Sequence, residues 1–109
     1  MKRAEKQKIL DELGGIDEAD YDALVKDLIA EAEKQIPEFE DAIRRDDFVG
    51  ISKIAHAIKG AAGNLRIYKI QELAGSIEAE AKETKDRSKI TAGLEGIVRE
   101  LAELKAEGK

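Results

Sequence analysis

FVGISKIAHAIKGAAGNL, residues 48–65, carries its apolar side chains at Phe48, Ile51, Ala55, Ile58, Ala62 and Leu65. Steps of three and four residues gather these onto one stripe of an α-helix. Asp46 or Asp47, just upstream, supplies the short carboxylate that caps a helix N-terminus. The same stretch holds His56, the single histidine of the chain, with Gly60 and Gly63 after it. Each residue turns a helix by about 100°, so with Ile58 at zero, Ile51, Ala62 and Leu65 fall within about 40° and His56 lies about 160° away. Gly60 and Gly63 fall within about 40° of His56, and Lys59 about 60° from it. The spacing therefore predicts His56, Lys59, Gly60 and Gly63 on the solvent face. An interior glycine costs about 1 kcal/mol relative to alanine. Packing does not justify that cost on an open face. What glycine supplies there is room beside the imidazole for a partner surface.

The periodicity on either side is also helical, and one proline interrupts it. A short helix over about residues 3–13 stops at Gly14–Gly15. Asp17 then reads as an N-cap, with Glu18 and Asp20 in the first turn. Tyr21, Val25, Leu28 and Ala32 follow at helical steps, and Phe39 and Ile43 continue that face past Pro37. One long helix kinked at Pro37 is predicted, ending at Arg44–Arg45. The fourth helix is predicted over about 67–85, with Ile67, Ile70, Ala74, Ile77 and Ala81 inward. Thr84 to Ser88 reads as a turn, and the last helix places Ile90, Leu94, Ile97, Leu101 and Leu104 inward. The expected fold is all-α: an antiparallel four-helix bundle over 17–107, with residues 1–15 forming a short extra helix and turn. The whole chain, 1–109, reads as a single domain. Gly75, Gly93 and Gly96 are expected to allow close helix approach.

Composition narrows the function classes. The chain has 109 residues, 39% charged and 4% aromatic, with a net charge of -5 and neither cysteine nor tryptophan. An aliphatic core follows, without a disulfide framework, thiol nucleophile or zinc–cysteine site. The acidic balance argues against nucleic acid and anionic membrane as partners. No apolar run approaches the roughly 20 residues that span a bilayer, and MKRAEKQKIL lacks the apolar core of a signal peptide. A soluble, cytoplasmic, monomeric domain is expected. The initial methionine and the charged end KAEGK lean toward a free-standing protein over an excised piece of a hybrid kinase.

An exposed imidazole with a neighbouring cation and cleared flanks points to a phosphoryl acceptor. Imidazole nitrogen is a competent nucleophile near neutral pH, and phosphoryl transfer needs mainly in-line positioning and charge neutralisation. The chain has no Gly-rich nucleotide loop and no acid cluster suited to magnesium. It is expected to hold or pass a phosphoryl group supplied by a partner protein, with no autonomous kinase activity.

At AHAIKGAAGNLRI, residues 55–67, the sequence resembles the histidine-containing phosphotransfer (HPt) domain family of multistep two-component phosphorelays. The helix order, the Phe39–Asp47 segment and Ile77–Glu78 in the following helix also fit, and the resemblance covers about residues 17–105. It implies that His56 is phosphorylated at Nε2, that Lys59 steadies the phosphoryl group, and that Gly60 and Gly63 clear the approach of a docking partner. It implies partners that are response-regulator receiver domains or hybrid histidine kinases, exchange with the receiver's aspartate, and a magnesium ion brought by the receiver. The chain itself needs no cofactor. Family members often carry glycine where this chain has Arg66. Here Arg66 reads as a solvated arginine in a turn, or as a second cation near the docking surface. Ser52 and Val49, one and two turns before His56, are candidate docking residues. Val49 is the more telling, because an apolar residue opposite the core has no packing role. Gln71 and Glu72 read as plain solvent residues.

Three other readings compete. A pseudo-HPt module would dock on receivers or kinases and inhibit them without transfer, but it would not need to keep a nucleophile. A metal-binding bundle is poorly served by one histidine, no cysteine and Gly60 at the fourth position after His56. A phosphate-accepting module of a chemotaxis-type kinase would be joined to kinase domains that this chain is too short to contain.

Overall fold

Aspartates start three of the helices. The structure, a computed structural model, describes residues 1–108. Asp17 accepts from the Ala19 amide at 2.8 Å, Asp47 from the Gly50 amide at 2.9 Å and Asp86 from the Lys89 amide at 3.2 Å. These caps open α2 (Glu18–Arg44), α3 (Phe48–Asn64) and α5 (Arg87–Glu107), while α1 (Arg3–Glu12) and α4 (Tyr68–Lys82) start without a side-chain aspartate. Asp47 is thus the α3 cap, and Asp46 serves the turn before it, at φ 53°. Helix α2 runs unbroken through Pro37 and buries Phe39 and Ala42 beyond it. Helix α4 is shorter than its periodicity suggests, because Ile67 is its buried N-cap residue and the chain leaves the helix after Lys82.

The α2–α3 and α3–α4 turns are closed alike. The Asp47 amide donates to the Ala42 carbonyl at 2.9 Å and the Asp46 amide to Ile43 at 3.2 Å. After α3, the Ile67 amide donates to Ala62 at 2.9 Å and the Arg66 amide to Gly63 at 3.1 Å. This paired closure needs a left-handed residue just past the helix. Arg66 fills it at φ 60°, at a cost of roughly 1–2 kcal/mol for a side chain with a Cβ. That requirement is why glycine suits the position.

Helix α4 packs on both α3 and α5, and α2 also lies beside α3 and α5. Short turns reverse the chain between neighbours, so the four helices close around one aliphatic core. Ile51, Ile70, Ile77, Ile90 and Ile97 fill its centre with Phe39. Helix α1 is an extra cover: Ile9 and Leu10 pack on Tyr21, whose hydroxyl donates to the Leu65 carbonyl at 2.6 Å. Burial pushes that phenol up to about 12. No helix among the described residues is long and apolar enough to cross a membrane.

The glycines divide by what surrounds them. A Cβ on Gly93 would lie 2.6 Å from Ile77 Cγ1, and one on Gly96 would lie 3.1 Å from Leu73 Cδ2. Both mark the close approach of α5 to α4. At Gly75 the neighbour is the stem of Lys59, 3.4 Å away at Cδ, so this space admits a side chain from α3. Gly93→Ala is expected to lower stability by about 1–3 kcal/mol through overpacking against Ile77. Urea unfolding of the variant measures this, with Gly60→Ala, where nothing meets the new methyl, as the control.

Candidate functional site

The imidazole of His56 stands in the middle of α3 with its side chain 69% exposed. It is nonetheless held. Its Nδ1 lies 2.9 Å from Oε2 of Glu78, which projects from α4 and is itself nearly buried. Lys59, one turn after His56, passes its stem over Gly75 and donates to Glu78 Oε1 at 2.6 Å. Lys82 donates to Glu78 Oε2 at 3.3 Å from the next turn of α4. One carboxylate therefore gathers an imidazole and two ammonium groups.

The helix wheel explains how Glu78 reaches the ring. The contacts of α3 are not centred on Ile58 but lean toward α4. Ser52, about 120° from Ile58, is almost fully buried. The flank bearing Ser52, Lys59 and Gly63 meets α4, and His56 sits at the rim of that contact.

Electrostatics fix the protonation pattern. The hydrogen bond from Lys59 is the main cause that lowers the Glu78 carboxyl to about 2, with His56 and Lys82 adding to it against the opposing effect of burial. Glu78 is therefore an anion throughout the neutral range and can only accept. The nitrogen facing it must donate, so Nδ1 carries the ring hydrogen and Nε2 keeps the lone pair in the neutral imidazole. Nε2 lies across the ring from the carboxylate.

The other candidate residues are distributed unevenly around this centre. Nothing lies within 4 Å of a Cβ placed on Gly60, so the space next to His56 is open. At Gly63 the space is filled, since a Cβ there would lie 2.9 Å from Gln71 Nε2. Gln71 reaches across α3 and is half-buried where a plain solvent residue was expected. Val49 stands 66% exposed on the His56 face. Arg66 turns back on its own helix end, donating to the Gly63 carbonyl at 2.9 Å and facing Glu12 at 3.5 Å. Glu72 carries no hydrogen bond or ion pair to a neighbour that bears on the site. From sequence, Glu78 figures in the resemblance without a role, and Lys82 is not singled out. The only signal was a carboxylate beside the core stripe of α4, at Ile77–Glu78, with a lysine four residues on.

The site is a surface and has no walls. A groove of about 650 Å³ lies elsewhere, between Tyr21, Val25 and Ile29 of α2 and Leu104 of α5. Among the described residues, no group of three or more His, Cys, Asp or Glu side chains is placed to hold a metal ion.

A family model described as the Hpt domain matches residues 23–107. No curated protein and no solved structure matches the chain. Helix α1 lies outside the matched span.

Two measurements test the site's construction. Gly60→Ala is expected to raise stability by up to about 1 kcal/mol, since nothing obstructs the new methyl and helix propensity improves. Glu78→Gln is expected to cost about 1–3 kcal/mol at pH 7 by weakening three charge-assisted contacts. A lowered carboxyl contributes stability above its unfolded value, here 4.5, that is lost as pH falls toward about 2. The gap between wild type and Glu78→Gln in urea unfolding should therefore be full at pH 7 and narrow steadily below pH 4.5.

Proposed function

The chain belongs to the Hpt domain family, and from that and the geometry around His56 we propose that it is a histidine phosphotransfer protein. It accepts a phosphoryl group on His56 Nε2 from the aspartate of a response-regulator receiver domain and passes it to another. The observation that carries the reading is the contact between His56 Nδ1 and Glu78. A bound carboxylate on one nitrogen leaves the other as the nucleophile, already aimed at solvent.

The step balances without a base. The Nε2 lone pair forms the N–P bond as the P–O bond to the partner's aspartate breaks, and that carboxylate leaves with the electron pair. Nδ1 keeps its hydrogen, and the positive charge gained by the ring faces the Glu78 anion. Lys59 can turn from Glu78 to the phosphoryl oxygens, and open Gly60 lets the receiver bring its aspartate in line. The reverse transfer uses the same contacts.

A magnesium ion belongs to the receiver in this reading. The groups gathered on Glu78 are an imidazole and two ammonium groups, the latter repelling a divalent cation, and the one carboxylate is fully engaged. Val49 is the residue of this face that offers apolar surface to the partner. The domain acts as a monomer in the cytoplasm, where receivers and hybrid kinases present their aspartates. An inhibitor that docks without transfer is the other role open to an Hpt domain. A nitrogen kept free by an engaged partner nitrogen supports transfer over it.

Mixing the chain with a phosphorylated receiver domain and magnesium should add one phosphoryl group, labile to acid and stable to base, by intact mass. His56→Gln should take up none while its unfolding midpoint shifts only slightly, since the Gln amide can still donate to Glu78. Gly60→Leu should fold and lose transfer, because the side chain fills the approach path. Receiver binding without any mass gain in the wild type would establish the inhibitor role.

A further inference from the structure

Glu78 holds more positive charge than it needs. In the resting site one carboxylate faces two ammonium groups and a neutral imidazole, an excess of one positive charge. The two lysines are not equivalent. Lys59 sits at 2.6 Å on Oε1 with its side chain 37% exposed. Lys82 sits at 3.3 Å on Oε2 with its side chain 62% exposed. Oε2 is also the oxygen that faces His56 Nδ1. Lys82 is thus the looser of the two cations and lies on the imidazole's side of the carboxylate. It arrives from α4, whereas Lys59 arrives from α3.

We infer that Lys82 is a second phosphoryl-binding cation of the site, held on Glu78 at rest and transferred to the phosphoryl group when His56 is modified. The inference rests on the phosphotransfer reading of His56. A phosphoryl group brings a charge of roughly −1.5 to −2 while the ring gains one positive charge, so the local excess is cancelled and the negative charge sits out on the phosphoryl oxygens. The weakest existing contact is the one that yields, and a lysine ammonium on a flexible stem re-aims without moving the backbone. Glu78 then keeps the Nδ1 hydrogen while the two lysines reach the phosphoryl oxygens from different helices. The site stores its cations on the carboxylate that also sets the tautomer. As a residue that touches the transferred group, Lys82 would stabilise phosphohistidine and set how readily it is given up.

A lysine four residues after a glutamate, in the last turn of a helix, also arises as an ordinary helix-surface pair. The test must separate the two roles. The full chain is loaded with phosphoramidate, whose P–N bond breaks with loss of ammonia as Nε2 gains phosphorus, and in parallel with a phosphorylated receiver domain. Phosphorus NMR then follows the phosphoryl titration in wild type, Lys82→Gln, Lys82→Arg and Lys59→Gln. Loss of a cation beside a titrating anion should raise the phosphoryl midpoint in Lys82→Gln by roughly half a unit or more, and shorten the phosphohistidine lifetime several-fold. Lys82→Arg should stay near wild type.

If Lys82→Gln titrates and decays like wild type while Lys59→Gln does not, Lys82 is only a surface partner of Glu78. The inference then fails and phosphotransfer stands. If neither donor loads the wild type, the phosphotransfer reading and this inference fail together.

Discussion

A single, nearly buried carboxylate holds the functional face of this protein together. Glu78 binds His56, Lys59 and Lys82 at once. Each of these side chains would otherwise be a free, solvated group on a helix surface. Their arrangement depends on the packing of α3 against α4. Ile58 and Ala62 of α3 and Ile70, Ala74 and Ile77 of α4 are buried in one core, and that seam brings Glu78 under the imidazole. Gly75 adds to it by leaving α4 low enough for the Lys59 stem to cross. The aliphatic core and the polar site are therefore one construction. The core fixes where α4 lies, and α4 delivers the anion that orients the ring.

The sequence made the helices and the exposure of His56 legible because both are local. Periodicity within one helix separates a stripe from its opposite face. Aspartate caps before α2 and α3, and the glycine stop after α1, act within a few residues. The interaction between His56 and Glu78 spans 22 residues and two helices, and no spacing within α3 encodes it. A wheel centred on Ile58 also misplaces the contact. It puts Ser52 and Gly63 with His56 on an open face, whereas the lean toward α4 buries Ser52 and covers Gly63 with Gln71. Arg66 was legible as a departure in a turn. Its left-handed backbone and its tie to the Gly63 carbonyl follow from the closure of α3, which composition does not report.

The absence of walls around His56 matches the chemistry proposed for it. Enzymes that activate a small molecule enclose it and exclude water. A group passed between two proteins is enclosed by the partner that docks. On that account, the exposed chain needs to hold one ring in one tautomer, keep cations within reach and leave the approach clear. Glu78, the two lysines and Gly60 meet these three needs, and the groove between α2 and α5 lies away from them.

The tautomer is the central claim, and it is directly observable without a partner. Two-bond proton–nitrogen correlation on a nitrogen-15-labelled chain at neutral pH reports which imidazole nitrogen carries hydrogen. The account requires Nδ1 to be protonated and Nε2 to show the shift of a bare ring nitrogen, a pattern that Glu78→Gln should weaken. A ring protonated at Nε2 in the neutral wild type would contradict it, because Glu78 would then not be orienting the nucleophile.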